Sequence, residues 1–293
     1  MYLKFGAAAI KRPAKYENYL ILHFISYLRT LYKLFHFTLP LKRSGNQMNE
    51  TKSTRINKYL SEIGFCSRRA GDKLILENRV TINGTVPEMG TKISPDDEVR
   101  VDGKLVSTPE DKHVYIAFNK PVGIVCTTDI KAEKDNIIDY IKYPKRIFPI
   151  GRLDKPSEGL ILLTNDGDIV NKILRARNNH EKEYLVTVNK PVNAEFLRKM
   201  RNGIPVLDII TRKCVVEQTD KFKFRIILTQ GLNRQIRRMC EYLDYNVLKL
   251  KRIRIMNIHL DVPIGKWRYL SPEELAEINQ SVSTSVKTHF EGE

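Results

Sequence analysis

Three stretches of this chain carry residue types whose spacing could do chemistry. The first runs from Ile150 to Gly167 and places Asp154 in a short polar loop between Gly151 and Gly159, flanked by Arg152 and Lys155. Pro156 fixes its own φ and pushes Lys155 toward an extended conformation, so no helix passes through the loop. The apolar run Leu160 to Thr164 reads as a strand, and Asn165-Asp166-Gly167 ends it with turn chemistry. The outcome is one carboxylate on a stiff loop beside a sheet. A lone Asp in such a turn is usually a solvated surface residue, so its meaning depends on its company.

That company includes the run Gln230-Gly231-Leu232-Asn233-Arg234-Gln235-Ile236-Arg237-Arg238-Met239-Cys240. Asn233 is expected to cap a helix. Ile236, Met239, Cys240 and Leu243 fall at i, i+3, i+4 and i+7, which makes one buried stripe. Arg234, Arg237, Arg238 and Glu241 take another face, with Arg234 and Arg237 near the helix N-terminus. A charged helix face is usually only solvated, but three arginines in five residues just after Gly231 favour an anion. Lys249, Lys251, Arg252 and Arg254 extend the basic stripe.

The third stretch is the compact unit 54–103. Thr54 is placed to cap a helix carrying Ile56, Tyr59, Leu60 and Ile63 on one face, and Gly64 stops it. Ser67 then caps a second helix that begins with Arg68 and Arg69, making a candidate phosphate site from free N–H groups and two arginines. Val80 to Val86 is a hairpin signal around Asn83-Gly84. Arg55, Lys58, Arg68, Arg69 and Lys73 lie early in the unit, and the acidic residues cluster late. Solvated helix faces would mix the signs, so this polarity favours RNA.

Composition supports such a partner. The 293 residues carry 50 Lys and Arg against 34 Asp and Glu, a net charge of +16. That excess suits a polyanion, nucleic acid before an anionic membrane. The length allows two domains with a real core. Neither Cys66, Cys126, Cys214 and Cys240 nor the scattered histidines show zinc spacing, so no metal is expected. Reduced thiols suit a cytoplasmic protein. In residues 1–47, the apolar run Leu20 to Pro40 is broken by Arg29 and Lys33, which makes a poor membrane span. This basic leader is expected to lie outside the fold, as an upstream extension, with Met48 opening an ordinary protein start. Residues 104–112 read as a linker, 113–279 as a second domain, and 280–293 as a disordered tail.

The unit 54–103 resembles the S4 RNA-binding domain, in the pattern Arg55-Ile56-Asn57-Lys58-Tyr59-Leu60, Cys66-Ser67-Arg68-Arg69-Ala70 and Val80-Thr81-Ile82-Asn83-Gly84. Gly151-Arg152-Leu153-Asp154 with Gly159-Leu160, Lys182-Glu183-Tyr184-Leu185-Val186, and Asn233 to Met239 resemble the three motifs of RNA pseudouridine synthases. In order and spacing they resemble those of the RsuA family, over about Thr54 to Leu275. Asp135 to Ile138, His180 to Val188 and Gly231 to Glu241 are most similar to its RluF branch, which acts on 23S ribosomal RNA. Pro156 stands where the family usually has a polar residue, and the leader has no family counterpart.

The resemblance implies an α+β protein, with a small N-terminal S4 domain followed by a mixed, mostly antiparallel sheet. It implies isomerisation of a ribosomal RNA uridine to pseudouridine by a monomer, without cofactor or metal. The substrate would be ribosomal RNA or a pre-ribosomal particle. Asp154 would be the catalytic carboxylate, either attacking C1′ or taking the C2′ proton. Arg237 would pair with it as a bidentate fork, Tyr184 would stack on the target uracil, and Arg152 would fill the gap left by the flipped nucleotide. Arg55, Lys58, Ser67, Arg68, Arg69, Lys73, Arg234 and Arg238 would hold RNA. The alternative is a non-catalytic RNA-binding or ribosome-assembly protein on the same scaffold. A nucleoside hydrolase is disfavoured, because nothing supplies a metal or an activated water.

Overall fold

The computed structural model describes residues 53–107, 113–129, 132–175 and 178–283. The leader 1–47, most of the linker and the last ten residues lie outside that set.

The S4-like unit is built from β1 (Thr54–Arg55), α1 (Ile56–Glu62), α2 (Arg68–Leu76), β2 (Val80–Ile82), β3 (Lys92–Ile93), β4 (Val99–Val101) and β5 (Lys104–Leu105). Ile56, Leu60, Ile75, Val80, Ile93, Val99 and Val101 form its core. Three features differ from the expectation. Thr54 is not a helix cap: it pairs with Ile93 across β1 and β3, and Ile56 N–H donates to the Thr91 carbonyl at 2.9 Å. The Asn83-Gly84 turn forms, with φ of 50° and 82°, as a type I′ turn requires. The strand partner of β2, however, is β4, in the register Val80↔Val101. Asn83 holds that pairing in place, since its Oδ1 accepts from the Glu98 N–H at 2.8 Å. Ser67 caps α2 as expected, accepting from the Ala70 N–H at 3.1 Å. The pairing of β5 with β4 carries the unit to Leu105, so residues 104 and 105 are a strand rather than linker.

The larger domain follows with β6 (Tyr115–Lys120), α3 (Ile137–Ile141), β7 (Phe148–Ile150), β8 (Glu158–Thr164), α4 (Gly167–Leu174), β9 (Lys182–Val188) and α5 (Ala194–Asn202). It continues with β10 (Pro205–Val206), β11 (Ile209–Ile210), β12 (Val215–Asp220), β13 (Lys223–Leu228), α6 (Gln235–Tyr242), β14 (Val247–Ile255), β15 (Ile258–His259), β16 (Trp267–Tyr269) and α7 (Pro272–Ser283). One sheet runs β12-β13-β9-β14-β8-β6-β16, with β7 on β8 and β15 on β14. Every pairing is antiparallel except β14 with β8. Strand β8 is buried on both faces, which is why it reads as a continuous apolar run. Leu160 and Leu162 pack with Ala117, Ile169, Ile173 and Ile255 on one side. Ile161 and Leu163 pack with Ile116, Phe118, Ile137 and Leu153 on the other. A further cluster around Phe196, Phe224, Met239 and Cys240 seats α5 and α6 against β9 and β13.

Gly159 makes the parallel join possible. Its φ is +108°, and a Cβ there would stand 2.2 Å from the Arg252 carbonyl oxygen, so only glycine lets β14 come this close. Ser271 and Glu274 form a capping box at the start of α7, with Ser271 N–H to Glu274 Oε2 at 2.8 Å and Glu274 N–H to Ser271 Oγ at 3.2 Å. No described helix is long and apolar enough to cross a membrane.

Candidate active site

Asp154 sits on the turn from β7 into β8. The turn is pinned from several sides. Ser157 N–H donates to the Asp154 carbonyl at 3.0 Å, and Gly123 N–H donates to the Lys155 carbonyl at 2.9 Å. Leu153 is buried in the core, and its N–H lies 3.4 Å from Cys126 Sγ. Between these anchors the Asp154 side chain keeps about a third of its surface exposed, 34%. A carboxylate so placed faces the solvent-filled cleft while its backbone is held.

Arg237 comes from α6 on the other side of the cleft and is not on a solvated face. It is 8% exposed. Its Nη2 donates to the Pro156 carbonyl at 3.2 Å and to Ser157 Oγ at 3.1 Å, and its Nη1 donates to the Val247 carbonyl at 3.2 Å. The guanidinium therefore ties the Asp154 turn to β14. Its Nε lies 3.8 Å from Asp154 Oδ2 and is buried without a hydrogen-bond partner. The expected bidentate fork is absent, because both Nη groups are taken by the turn and by β14. Burial pulls the guanidinium below its usual pKa, and the Asp154 charge pulls it back up.

The start of α6 also differs from the expectation. Arg234, in left-handed conformation at φ 51°, is the capping residue, without a side-chain cap bond. Asn233 instead accepts from Arg238, through its carbonyl at 3.1 Å and its Oδ1 at 3.3 Å. Gln235 instead ties back to the loop before the helix, its Oε1 accepting from the Leu232 N–H at 3.0 Å.

Tyr184 lies on β9 directly across from Arg252 on β14. The Arg252 guanidinium stands 5.9 Å from the centre of the Tyr184 ring. Arg152, Asp154, Lys182, Tyr184, Arg234 and Arg252 all line one cleft of about 810 Å³. Arg237 lines an adjoining pocket that shares Asp154 and Tyr184 with this cleft. Cations thus surround a single acid, which suits an anionic ligand.

The S4-like residues divide. Arg55, Arg68 and Arg69 are exposed, and Lys73 is exposed beside Glu77 at 3.6 Å. Ser67 is held by its capping role. Lys58 is engaged elsewhere: its ammonium lies 2.8 Å from Asp168 and 3.2 Å from Glu62, so it joins the small unit to α4. Arg146 reinforces that join, donating to the Ser61 carbonyl and Oγ at 3.2 Å. None of these residues lines the cleft that holds Asp154.

Two buried lysines escaped the sequence reading. Lys120 is fully buried at the end of β6, donating to the carbonyls of Pro121 at 2.8 Å and Ile124 at 2.7 Å. Its burial lowers its pKa, while nearby Cys126 and Asp154 hold it up. Lys182 is two residues before Tyr184, so the period of a strand puts both on the cleft face. That spacing was the available signal. Arg252 was read only as part of a basic stripe.

Comparison with known proteins follows the same division of the chain. Residues 114–242 match the family model for RNA pseudouridylate synthase, and residues 54–99 match the S4 domain. The dual-specificity RNA pseudouridine synthase RluF of Salmonella typhi is 55% identical, over 80% of this chain and 81% of its own length. The ribosomal large subunit pseudouridine synthase B of Bacillus subtilis is 34% identical, over 76% of this chain and 95% of its own. A solved pseudouridylate synthase superposes with a TM-score of 0.57 at 29% identity, covering 77% of this chain and 100% of that one. With an S4 domain ahead of its catalytic domain, the chain belongs to the RsuA family of RNA pseudouridine synthases.

Proposed function

We propose that the protein converts a uridine of 23S ribosomal RNA to pseudouridine, with Asp154 as the catalytic carboxylate. The observation that carries this reading is the convergence of Asp154, Tyr184 and Arg237 on one basic cleft from three separate elements. The ribosomal large subunit named in one relative supports the 23S RNA as substrate. The dual specificity named in another supports a second RNA substrate.

In the reaction the N1–C1′ bond breaks, the uracil turns, and C5 bonds to C1′. The C5 proton leaves and N1 gains one, so atoms balance without a co-reactant. Asp154 supplies the charge that initiates the exchange at the sugar. Arg237 holds the Asp154 turn through Pro156 and Ser157 and places its Nε against the carboxylate. Tyr184 offers a ring face to the flipped uracil, with Arg252 behind it. Arg152, exposed at the cleft edge, reaches into the gap the uridine leaves. Arg234 and Arg238 take flanking phosphates, and Arg55, Arg68, Arg69 and Lys73 on the S4 domain, with Ser67 at its helix N-terminus, grip structured RNA by its backbone. The protein acts as a monomer in the cytoplasm, on ribosomal RNA or a pre-ribosomal particle.

The test is a map of pseudouridines, read as alkali-stable carbodiimide adducts that stop primer extension, in ribosomal RNA from a strain lacking the protein. Loss of one 23S stop, restored by the wild-type chain and not by Asp154→Asn, is the expected result. An unchanged map would overturn the 23S assignment.

A further inference from the structure

We infer that Lys182 and Arg252 form a phosphodiester site in the wall of the active cleft, holding the phosphate beside the flipped uridine. The inference rests on reading the cleft as a uridine site.

Both side chains line the cleft, and both are buried, at 7% and 3% exposure. Arg252 Nε donates to the Leu160 carbonyl at 2.6 Å, while its Nη2 is buried with no partner. Among the described residues the Lys182 ammonium has one hydrogen bond, to the His180 carbonyl at 3.2 Å. Among the described residues neither cation makes an ion pair. Their neighbours on the same strands do: Arg254 pairs with Glu183 at 2.7 Å and Glu181 at 2.8 Å, and Arg225 pairs with Glu183 at 2.9 Å. The sheet therefore supplies acids to the arginines outside the cleft and withholds them from the two cations inside it.

Two buried like charges side by side are costly unless something of opposite sign joins them. The repulsion registers on Lys182, whose pKa is pushed down to about 8 by burial and then by Arg252. Among the described residues, Asp154 is the one acid that lines the cleft. A neutral uracil would leave the excess positive charge unanswered. A phosphodiester answers it and offers acceptors for both the open Nη2 and the ammonium. The placement suits a nucleotide's own phosphate. Tyr184 shares its strand face with Lys182 and stands across from Arg252, so a base stacked on the ring carries its backbone past both.

The experiment measures calorimetric binding of uridine 3′,5′-bisphosphate and of plain uridine to the full chain at low salt. Variants are Lys182→Met, Lys182→Arg, Arg252→Gln and Arg252→Lys, each checked by thermal melting. The wild type is expected to prefer the bisphosphate by at least tenfold, and Lys182→Met and Arg252→Gln to reduce that preference roughly tenfold each, as loss of a charged hydrogen bond does. Lys182→Arg and Arg252→Lys should retain most of it. Lys182→Met decides alone should Arg252→Gln not fold. Folded variants that keep the wild-type preference would overturn the site, even in a protein that forms pseudouridine normally. A protein that shows the preference but forms no pseudouridine would keep the site and lose the uridine reading.

Discussion

Replacing Arg237 with lysine keeps the charge and removes the planar fork. The structure sets the size of the effect. The guanidinium makes three hydrogen bonds, to the Pro156 and Val247 carbonyls and to Ser157 Oγ, and it is buried. One ammonium reaches at most one of these sites, so about two charge-assisted bonds are lost, at roughly 1.5 kcal/mol or more each. Stability should fall by about 3 kcal/mol, which is roughly 6–12 °C in Tm for a domain of this size. The larger effect is on the reaction. The Asp154 turn is tied to β14 through this side chain, and a displacement of about 1 Å at a reacting group can cost on the order of 100-fold. The assay is tritium release from RNA labelled at uridine C5, beside a melting curve. A protein that melts lower but stays folded, and works about 100-fold slower, is expected. A near-normal rate in a protein with the lowered Tm would show that the Arg237 tether does not position Asp154.

Gly159→Ala should destabilise by more than about 3 kcal/mol, because a new Cβ meets the Arg252 backbone at a positive φ; an unchanged Tm would show that β14 can shift away. A chain beginning at residue 113 should fold, bind RNA more weakly, and lose about one unit of salt slope for each phosphate contact removed. Unchanged affinity and slope would leave the S4 domain without a substrate role. Lys182 predicts a pH effect with a definite sign. In the folded protein it loses its proton near 8, whereas in the unfolded chain it keeps it up to 10.5. The unfolded state thus binds more protons between those values, so this group destabilises below 8 and its penalty is relieved as pH rises. Lys182→Met should show a smaller rise in stability, relative to wild type, from pH 8 to 10; equal pH profiles would contradict the burial of a charged Lys182.

The elements that carry the site were legible because their signals are local. Strand β8 follows from its apolar run, and the α6 stripe from its helical period. The capping residues Ser67 and Ser271 announce their helices within four residues. What stayed hidden depends on pairing between distant segments. Strand β2 chooses β4 over the residues just past its own turn, because Val80 and Val101 share a core that no local pattern reveals. Lys58 resembles a phosphate contact until Asp168, more than a hundred residues away, is placed beside it. The Asp154 motif implied a fork from Arg237. Only the packed structure shows that Pro156, Ser157 and Val247 take the fork and leave Nε for the carboxylate.

The central claim is that the Asp154 carboxylate drives the isomerisation. Asp154→Asn is nearly isosteric and leaves the Ser157–Asp154 backbone bond of the turn in place. The direct measurement is single-turnover pseudouridine formation by this variant on 23S RNA, alongside its RNA affinity at fixed salt. Formation should be abolished while affinity stays close to wild type, since phosphate contacts dominate binding. Turnover by the Asn variant at a substantial fraction of the wild-type rate would contradict the account.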